Sequence, residues 1–295
     1  MHQIRPLVTT GWLSKVLTPS SPGIRVLDSS WFMKADGRQP QQEYAEKHIP
    51  GAMFFDIDKV SDQTSPYSHA LPQPWLFSDY ACHLGISNDT HVVVYDNHDK
   101  FSAFSSPRAW WMLRVFGHQR VSVLEGGLPK WIKEGHPVTS EVMQIDKTEF
   151  DVNYQPHLLK KFEDMVQNLS THSFQVMDAR SSERFAGTAE EPSKETKGGH
   201  IPYSHNIPFT SLFNSETRTF KSPEEMKEIF DSAGIDLNKP LASSCGSGIT
   251  ACIIALGAHI AGKEDVGMFD GSWEEYSQRA SPEQIATGPE VPKGG

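Results

Sequence analysis

Short apolar runs alternate with polar, turn-forming segments along the first half of the chain. Ile24–Asp28, His91–Tyr95 and Val121–Leu124 are compact and rich in β-branched residues, and their length and composition predict strands. Met53–Ile57 is a further apolar stretch. The segments around them, Val8–Leu17, Glu43–Lys47, Phe77–Leu84, Ser106–Val115 and Leu128–Glu134, read as helices. Strands that alternate with helices predict an α/β fold with a mostly parallel sheet flanked by helices. Asp58–Pro74 is polar and rich in turn formers, so it is expected to be a long surface loop, with His69 on it.

The same order recurs in the second half. Val176-Met177-Asp178 repeats Val26-Leu27-Asp28, and Gly199-His200-Ile201-Pro202 repeats Lys47-His48-Ile49-Pro50. Ile207-Pro208-Phe209 stands for Met53-Phe54-Phe55, and Leu241–Ser244 for Val92–Tyr95. Phe269-Asp270-Gly271-Ser272-Trp273 stands for Leu124-Glu125-Gly126-Gly127-Leu128. A near-constant register over five elements in order implies a tandem duplication of a domain-sized unit. The expected organisation is one domain over 1–138, a polar linker over 139–155, and a second domain over 156–295.

Composition narrows the function classes. The 295 residues carry 27 basic and 37 acidic side chains, a formal net charge of −10, which argues against nucleic acid or an anionic membrane surface as partner. No apolar run reaches membrane-spanning length, and Met1–Pro6 lacks the apolar core of a secretory signal. Only Cys82, Cys245 and Cys252 are present, too few for a disulfide framework and without zinc-site spacing. A reducing, cytoplasmic location is therefore expected, with a processed mitochondrial form as the alternative. No metal or cofactor is expected.

Candidate chemistry centres on Ser243-Ser244-Cys245-Gly246-Ser247-Gly248-Ile249-Thr250, which places a cysteine between a short apolar segment and a glycine loop that opens the apolar helix Ile249–Ile260. Glycines let backbone amides turn inward, and a helix N-terminus adds partial positive charge, so this arrangement favours anionic sulfur. The other reading is a buried free cysteine before an ordinary turn. At the equivalent place the first copy has Asp96, which cannot serve as a sulfur nucleophile. A cysteine phosphatase would need an arginine six positions after the cysteine, and Ala251 stands there. Sulfur transfer through a Cys245 persulfide needs only the nucleophile and the amide bowl. Cys252, two helical turns on, and Cys82 read as packing residues.

Cys245-Gly246-Ser247-Gly248-Ile249-Thr250-Ala251, the two His-Ile-Pro segments and Asp270-Gly271-Ser272-Trp273 resemble the tandem rhodanese-domain sulfurtransferases, and within them the 3-mercaptopyruvate sulfurtransferase branch. The resemblance covers nearly the whole chain. It implies two tandem rhodanese-like domains, the second catalytic. Cys245 would take sulfur from 3-mercaptopyruvate, release pyruvate and pass the sulfur to a thiol, a dithiol such as thioredoxin, or cyanide. Thiosulfate sulfurtransferases usually carry basic residues at the positions of Gly246 and Ser247, so the small neutral loop fits a monoanionic donor. Thiosulfate:cyanide transfer and a persulfide relay protein are the alternatives. The resemblance also implies that Ser247, His69 and Asp58 form a proton relay, with Gly246, Gly248, Ile249 and Thr250 lining the donor site. It gives Arg184 the donor carboxylate; the bland reading is a surface arginine paired with Glu183 or Glu190. The family's second arginine is replaced by Ser193, leaving neighbouring Lys194 as the candidate second cation.

Overall fold

The computed structural model describes residues 4–17 and 23–288. Two compact units emerge, each built on a five-stranded, wholly parallel sheet. In the first unit the strands are β1 (Leu7–Val8), β2 (Ile24–Asp28), β3 (Met53–Phe54), β4 (His91–Tyr95) and β5 (Val121–Leu124), in the order β1-β5-β4-β2-β3. In the second they are β6 (Leu159–Lys160), β7 (Gln175–Asp178), β8 (Ser204–Asn206), β9 (Leu241–Ser244) and β10 (Gly267–Phe269), in the order β6-β10-β9-β7-β8. The two orders are identical, as the internal repeat requires.

The central strands β4 and β9 are buried almost along their whole length, which is why β4 reads as a continuous Val-Val-Val-Tyr run and not as an alternation. Equivalent positions build equivalent cores. Val26, Ile49, Leu124, Leu128 and Trp131 pack together in the first unit; Val176, Ile201, Phe269, Trp273 and Tyr276 do so in the second. The histidines of the two His-Ile-Pro segments are structural. His48 stacks on Tyr44 at 4.1 Å, with its Nδ1 2.7 Å from the Tyr44 carbonyl. His200 stacks on Phe185 at 3.7 Å, with Nδ1 2.8 Å from the Phe185 carbonyl.

The boundaries of the units do not follow the chain strictly. Among the described residues, the first comprises 4–17, 23–63, 71–155 and 215–219; the second comprises 64–70, 156–214 and 220–288. Residues 139–155 run along the first unit, where the backbone N–H of Thr148 donates to the Cys82 carbonyl and that of Gln155 to the Val115 carbonyl. The stretch expected as one long loop opens with a short helix, Ile57–Val60, and its His69 is buried, not solvated.

Candidate active site

Cys245 follows the last residue of β9, at the carboxyl edge of the sheet, where open parallel sheets place their ligands. The chain then turns through Gly246–Gly248 into the helix Thr250–Ile260. Gly248 has φ +86°, a conformation that glycine adopts without strain, and the turn aims its N–H at the Cys245 sulfur, 3.1 Å away. The sulfur thus meets an amide donor just before a helix whose first N–H groups have no intrahelical partner, surroundings that stabilise negative charge. Ile249 caps the helix and is buried, and Thr250 is its first residue. The Cys252 thiol donates to the Gly248 carbonyl at 3.3 Å, which steadies the glycine from below. All three cysteines are free thiols.

A second loop buttresses the first. Ser272 has φ +48°, accepts the Cys245 N–H at 3.3 Å and donates to the Phe269 carbonyl at 2.9 Å. The N–H groups of Trp273 and Glu274 donate to the carbonyls of Cys245 and Gly246, both at 2.9 Å. Ser272 was not legible as a site residue from its own type. Its signal lay in the repeat: Gly127, at the equivalent position, also has positive φ, and Leu128 N–H donates to the Asp96 carbonyl as Trp273 N–H does to that of Cys245.

The first unit shows what the same bowl does when a carboxylate fills it. Asp96 Oδ2 accepts from the backbone N–H groups of Phe104, Ser105 and Ser106 at 2.8–3.0 Å and from the Ser106 hydroxyl at 2.7 Å. Its Oδ1 accepts from the His98 N–H at 3.2 Å. The donors that would receive an anion are already satisfied by the protein's own side chain.

Arg184 lies against the cysteine loop: a methyl group added at Gly246 would come within 2.9 Å of its Nη2. Its partner is Glu191, and neither Glu183 nor Glu190. Glu191 Oε2 accepts from Arg184 Nε at 3.1 Å and also from Nη2, while Oε1 accepts from Arg180 Nη1 at 3.0 Å. Arg180 is buried, forks onto Asp178 at 2.7–3.1 Å and stacks over Trp273 at 4.7 Å. Burial alone would lower the Arg180 pKa, but the two carboxylates outweigh it and raise the pKa, so this guanidinium stays charged. The four charges of Asp178, Arg180, Arg184 and Glu191 sum to zero. Glu191, read in sequence as one of a polar Glu-Glu-Pro run, is the buried link between the two arginines. Lys194 sits exposed on a turn and makes no hydrogen bond or ion pair among the described residues.

His69 belongs to the segment 64–70 that joins the second unit. Its Nδ1 lies 3.0 Å from the Ser247 backbone carbonyl. A carbonyl only accepts, so Nδ1 carries a proton. The hydrogen bond that joins His69 to Ser247 therefore runs to the main chain of that residue. Asp58 belongs to the first unit, where the Trp31 indole N–H donates to both of its carboxylate oxygens at 3.1 Å.

Residues 27–134 and 160–279 both match the rhodanese-like domain, one match for each repeat. The chain belongs to the rhodanese-like family. Its similarity to individual members extends over almost the full length. It is 47% identical over 283 residues to the 3-mercaptopyruvate sulfurtransferase of Mus musculus, covering 95% of each chain. It is 48% identical over 288 residues to the thiosulfate sulfurtransferase of Cricetulus griseus, covering 96% of each. Among solved structures, the 3-mercaptopyruvate sulfotransferase SseA of Escherichia coli superposes with a TM-score of 0.80 at 35% identity, over 91% of this chain and 98% of that one. Both kinds of rhodanese-family sulfurtransferase are thus similar to this chain to the same degree, and the donor must be argued from the site. Among the described residues no helix is long and apolar enough to cross a membrane.

Proposed function

We propose that this protein is a sulfurtransferase that takes sulfur from 3-mercaptopyruvate onto Cys245 and passes it to a thiol, a dithiol or cyanide. The observation that carries the choice of donor is the neutral surface around the sulfur. Gly246 and Ser247 bring no charge, so the cysteine loop itself offers a dianion such as thiosulfate no cation beyond Arg184. A monoanionic keto acid needs a single cation for its carboxylate, and the nearness of Arg184 to Gly246 supports that role for it.

In the first half-reaction the Cys245 thiolate attacks the donor's thiol sulfur. An S–S bond forms, the donor's C–S bond breaks, and its electron pair leaves with carbon as the enolate of pyruvate. The donor's thiol proton is taken up, with His69 Nε2 as base and the Ser247 hydroxyl as relay, and is returned to the enolate carbon. The outer sulfur of the persulfide stays anionic in the amide bowl, with Gly246, Gly248, Ile249 and Thr250 around it. In the second half-reaction the acceptor nucleophile bonds to that outer sulfur and the Cys245 thiolate leaves. No external oxidant or reductant is consumed. Asp58 keeps the relay role given by the resemblance, and Lys194 that of a second cation. The three free thiols support a reducing compartment, cytoplasmic or mitochondrial.

The test is mass spectrometry of the wild type and Cys245→Ser after exposure to 3-mercaptopyruvate, with pyruvate measured in parallel. One added sulfur on the wild type, none on the variant, and stoichiometric pyruvate are expected. A preference for thiosulfate at equal donor concentration would reverse the donor assignment. Arg184→Gln is expected to raise the donor KM roughly tenfold or more, the worth of a charge-assisted hydrogen bond. Lys194→Ala is expected to raise it less, and an unchanged KM removes Lys194 from the site.

A further inference from the structure

We propose that Glu274 is a positioning residue for His69, latching the segment that carries this histidine onto the cysteine loop; the inference rests on the sulfurtransferase reading above. Glu274 lies in the first turn of the helix Ser272–Arg279. Its backbone N–H donates to the Gly246 carbonyl at 2.9 Å. Its carboxylate accepts from the Ser68 backbone N–H and from the Ser68 hydroxyl, both at 3.2 Å. His69, the next residue, reaches the Ser247 carbonyl at 3.0 Å. Two adjacent residues of the cysteine loop, Gly246 and Ser247, are thereby tied to two adjacent residues of the histidine segment, Ser68 and His69, in a closed ring of hydrogen bonds. All of its members lie in the second unit.

The ring is needed because the histidine's backbone is unfavourable on its own. His69 has φ +60°, a left-handed conformation that a residue with a Cβ keeps only when its surroundings hold it. His69 is buried, but the preceding Ser68 is exposed, and the latch holds that residue by hydrogen bonds. The carboxylate supplies two acceptors to one residue and removes the rotational freedom that a single contact to the imidazole would leave. A base must sit within hydrogen-bond reach of the proton it moves, so the latch acts on the donor half-reaction, in which a proton is transferred. Transfer of the outer sulfur from an already charged Cys245 to cyanide does not use it. The competing view is that Glu274 only places a negative charge in the first turn of its helix.

The experiment uses the full chain. Single-turnover pyruvate release from 3-mercaptopyruvate and sulfur transfer from pre-charged Cys245 to cyanide are measured for the wild type, Glu274→Ala, Glu274→Gln and Ser68→Ala. Glu274→Ala is expected to slow pyruvate release roughly fivefold, a change of about 1 kcal/mol, and to leave transfer to cyanide unchanged. Glu274→Gln, whose amide can accept from the Ser68 N–H and donate to its hydroxyl, should stay within about twofold of the wild type. Ser68→Ala loses only the hydroxyl contact, and removing Glu274 in that background should cost less than in the wild type. Hydrogen exchange at the Ser68 amide should accelerate in Glu274→Ala and not in Glu274→Gln. Wild-type pyruvate release by Glu274→Ala, an equal fall in both half-reactions, or a Gln variant as slow as Ala would overturn the proposal. If the wild type itself releases no pyruvate, the sulfurtransferase reading fails. The latch is then decided by exchange at Ser68: a rate unchanged in Glu274→Ala refutes it.

Discussion

At the residue scale, the two copies differ most in what fills one backbone concavity. In the second, Cys245 accepts the Gly248 N–H at 3.1 Å; in the first, Asp96 accepts four N–H groups and a hydroxyl. On the function proposed above, the sulfur is held for reaction and the carboxylate for stability. Asp96→Asn turns an amide N–H toward buried N–H donors and should cost ~3 kcal/mol, read as a lower urea midpoint at unchanged slope. It should leave uptake of sulfur by Cys245 intact. Cys245→Ser should do the reverse, abolishing uptake while changing the midpoint little. Loss of uptake in a stably folded Asp96→Asn would give the first copy a direct part in the chemistry.

At the element scale, the buttress loop after β5 or β10 sets how close the backbone comes to the bowl. A Cβ on Gly127 would stand 2.2 Å from the Asp96 carbonyl oxygen, at φ +54°, and the contact is with backbone that cannot move aside. Gly135 also has positive φ, +79°, yet nothing lies within 4 Å of its Cβ position. Gly135→Ala should therefore cost only the left-handed strain, ~1 kcal/mol, while Gly127→Ala should cost more than ~3 kcal/mol by thermal or urea unfolding. Equal losses would mean that the close approach is not what requires glycine at 127. The legibility of the elements follows the same physics. Strands β2, β4 and β5, the helix Ser106–Val115 and the cysteine loop were readable because each is a contiguous apolar or glycine signal. The edge strands β1 and β6 are two residues long and carry no period. His69, Glu191 and Glu274 are polar residues in polar stretches. Their places come from contacts with residues distant in sequence, such as Ser247 for His69 and Gly246 for Glu274, and periodicity does not report those. Arg184 was singled out by the family resemblance, and its pairing with Glu191 was not legible in the sequence.

At the scale of the whole molecule, the proposed nucleophile Cys245 and the acid-sensitive groups lie in different units, and this yields a prediction with a definite sign. Burial lowers the pKa of both His91 and His118 from 6.5 to about 4. Each is neutral in the folded chain, so its contribution is present above pH 6.5 and is lost as the pH falls toward 4. Asp28 opposes them. Burial, only partly offset by hydrogen bonds from Ser30, raises its pKa from 3.8 to about 6, so its contribution is present at low pH and is lost as the pH rises through 6. Near pH 5 the unfolded chain holds two protons on these three groups and the folded chain one, and stability must fall with acid. The slope is ~1 kcal/mol per pH unit between pH 6 and 4, once the His91 contribution is reduced for its partial exposure. Urea unfolding at pH 6.5, 5.5 and 4.5 measures it. His118→Gln removes one of the two favourable terms and should flatten the dependence, while Asp28→Asn removes the opposing term and should steepen it. All three groups belong to the first unit. Acid should therefore accelerate hydrogen exchange in β2 and β4 before it does so in β7 and β9. The reverse order, or a slope that His118→Gln leaves unchanged, would place the acid-labile groups elsewhere.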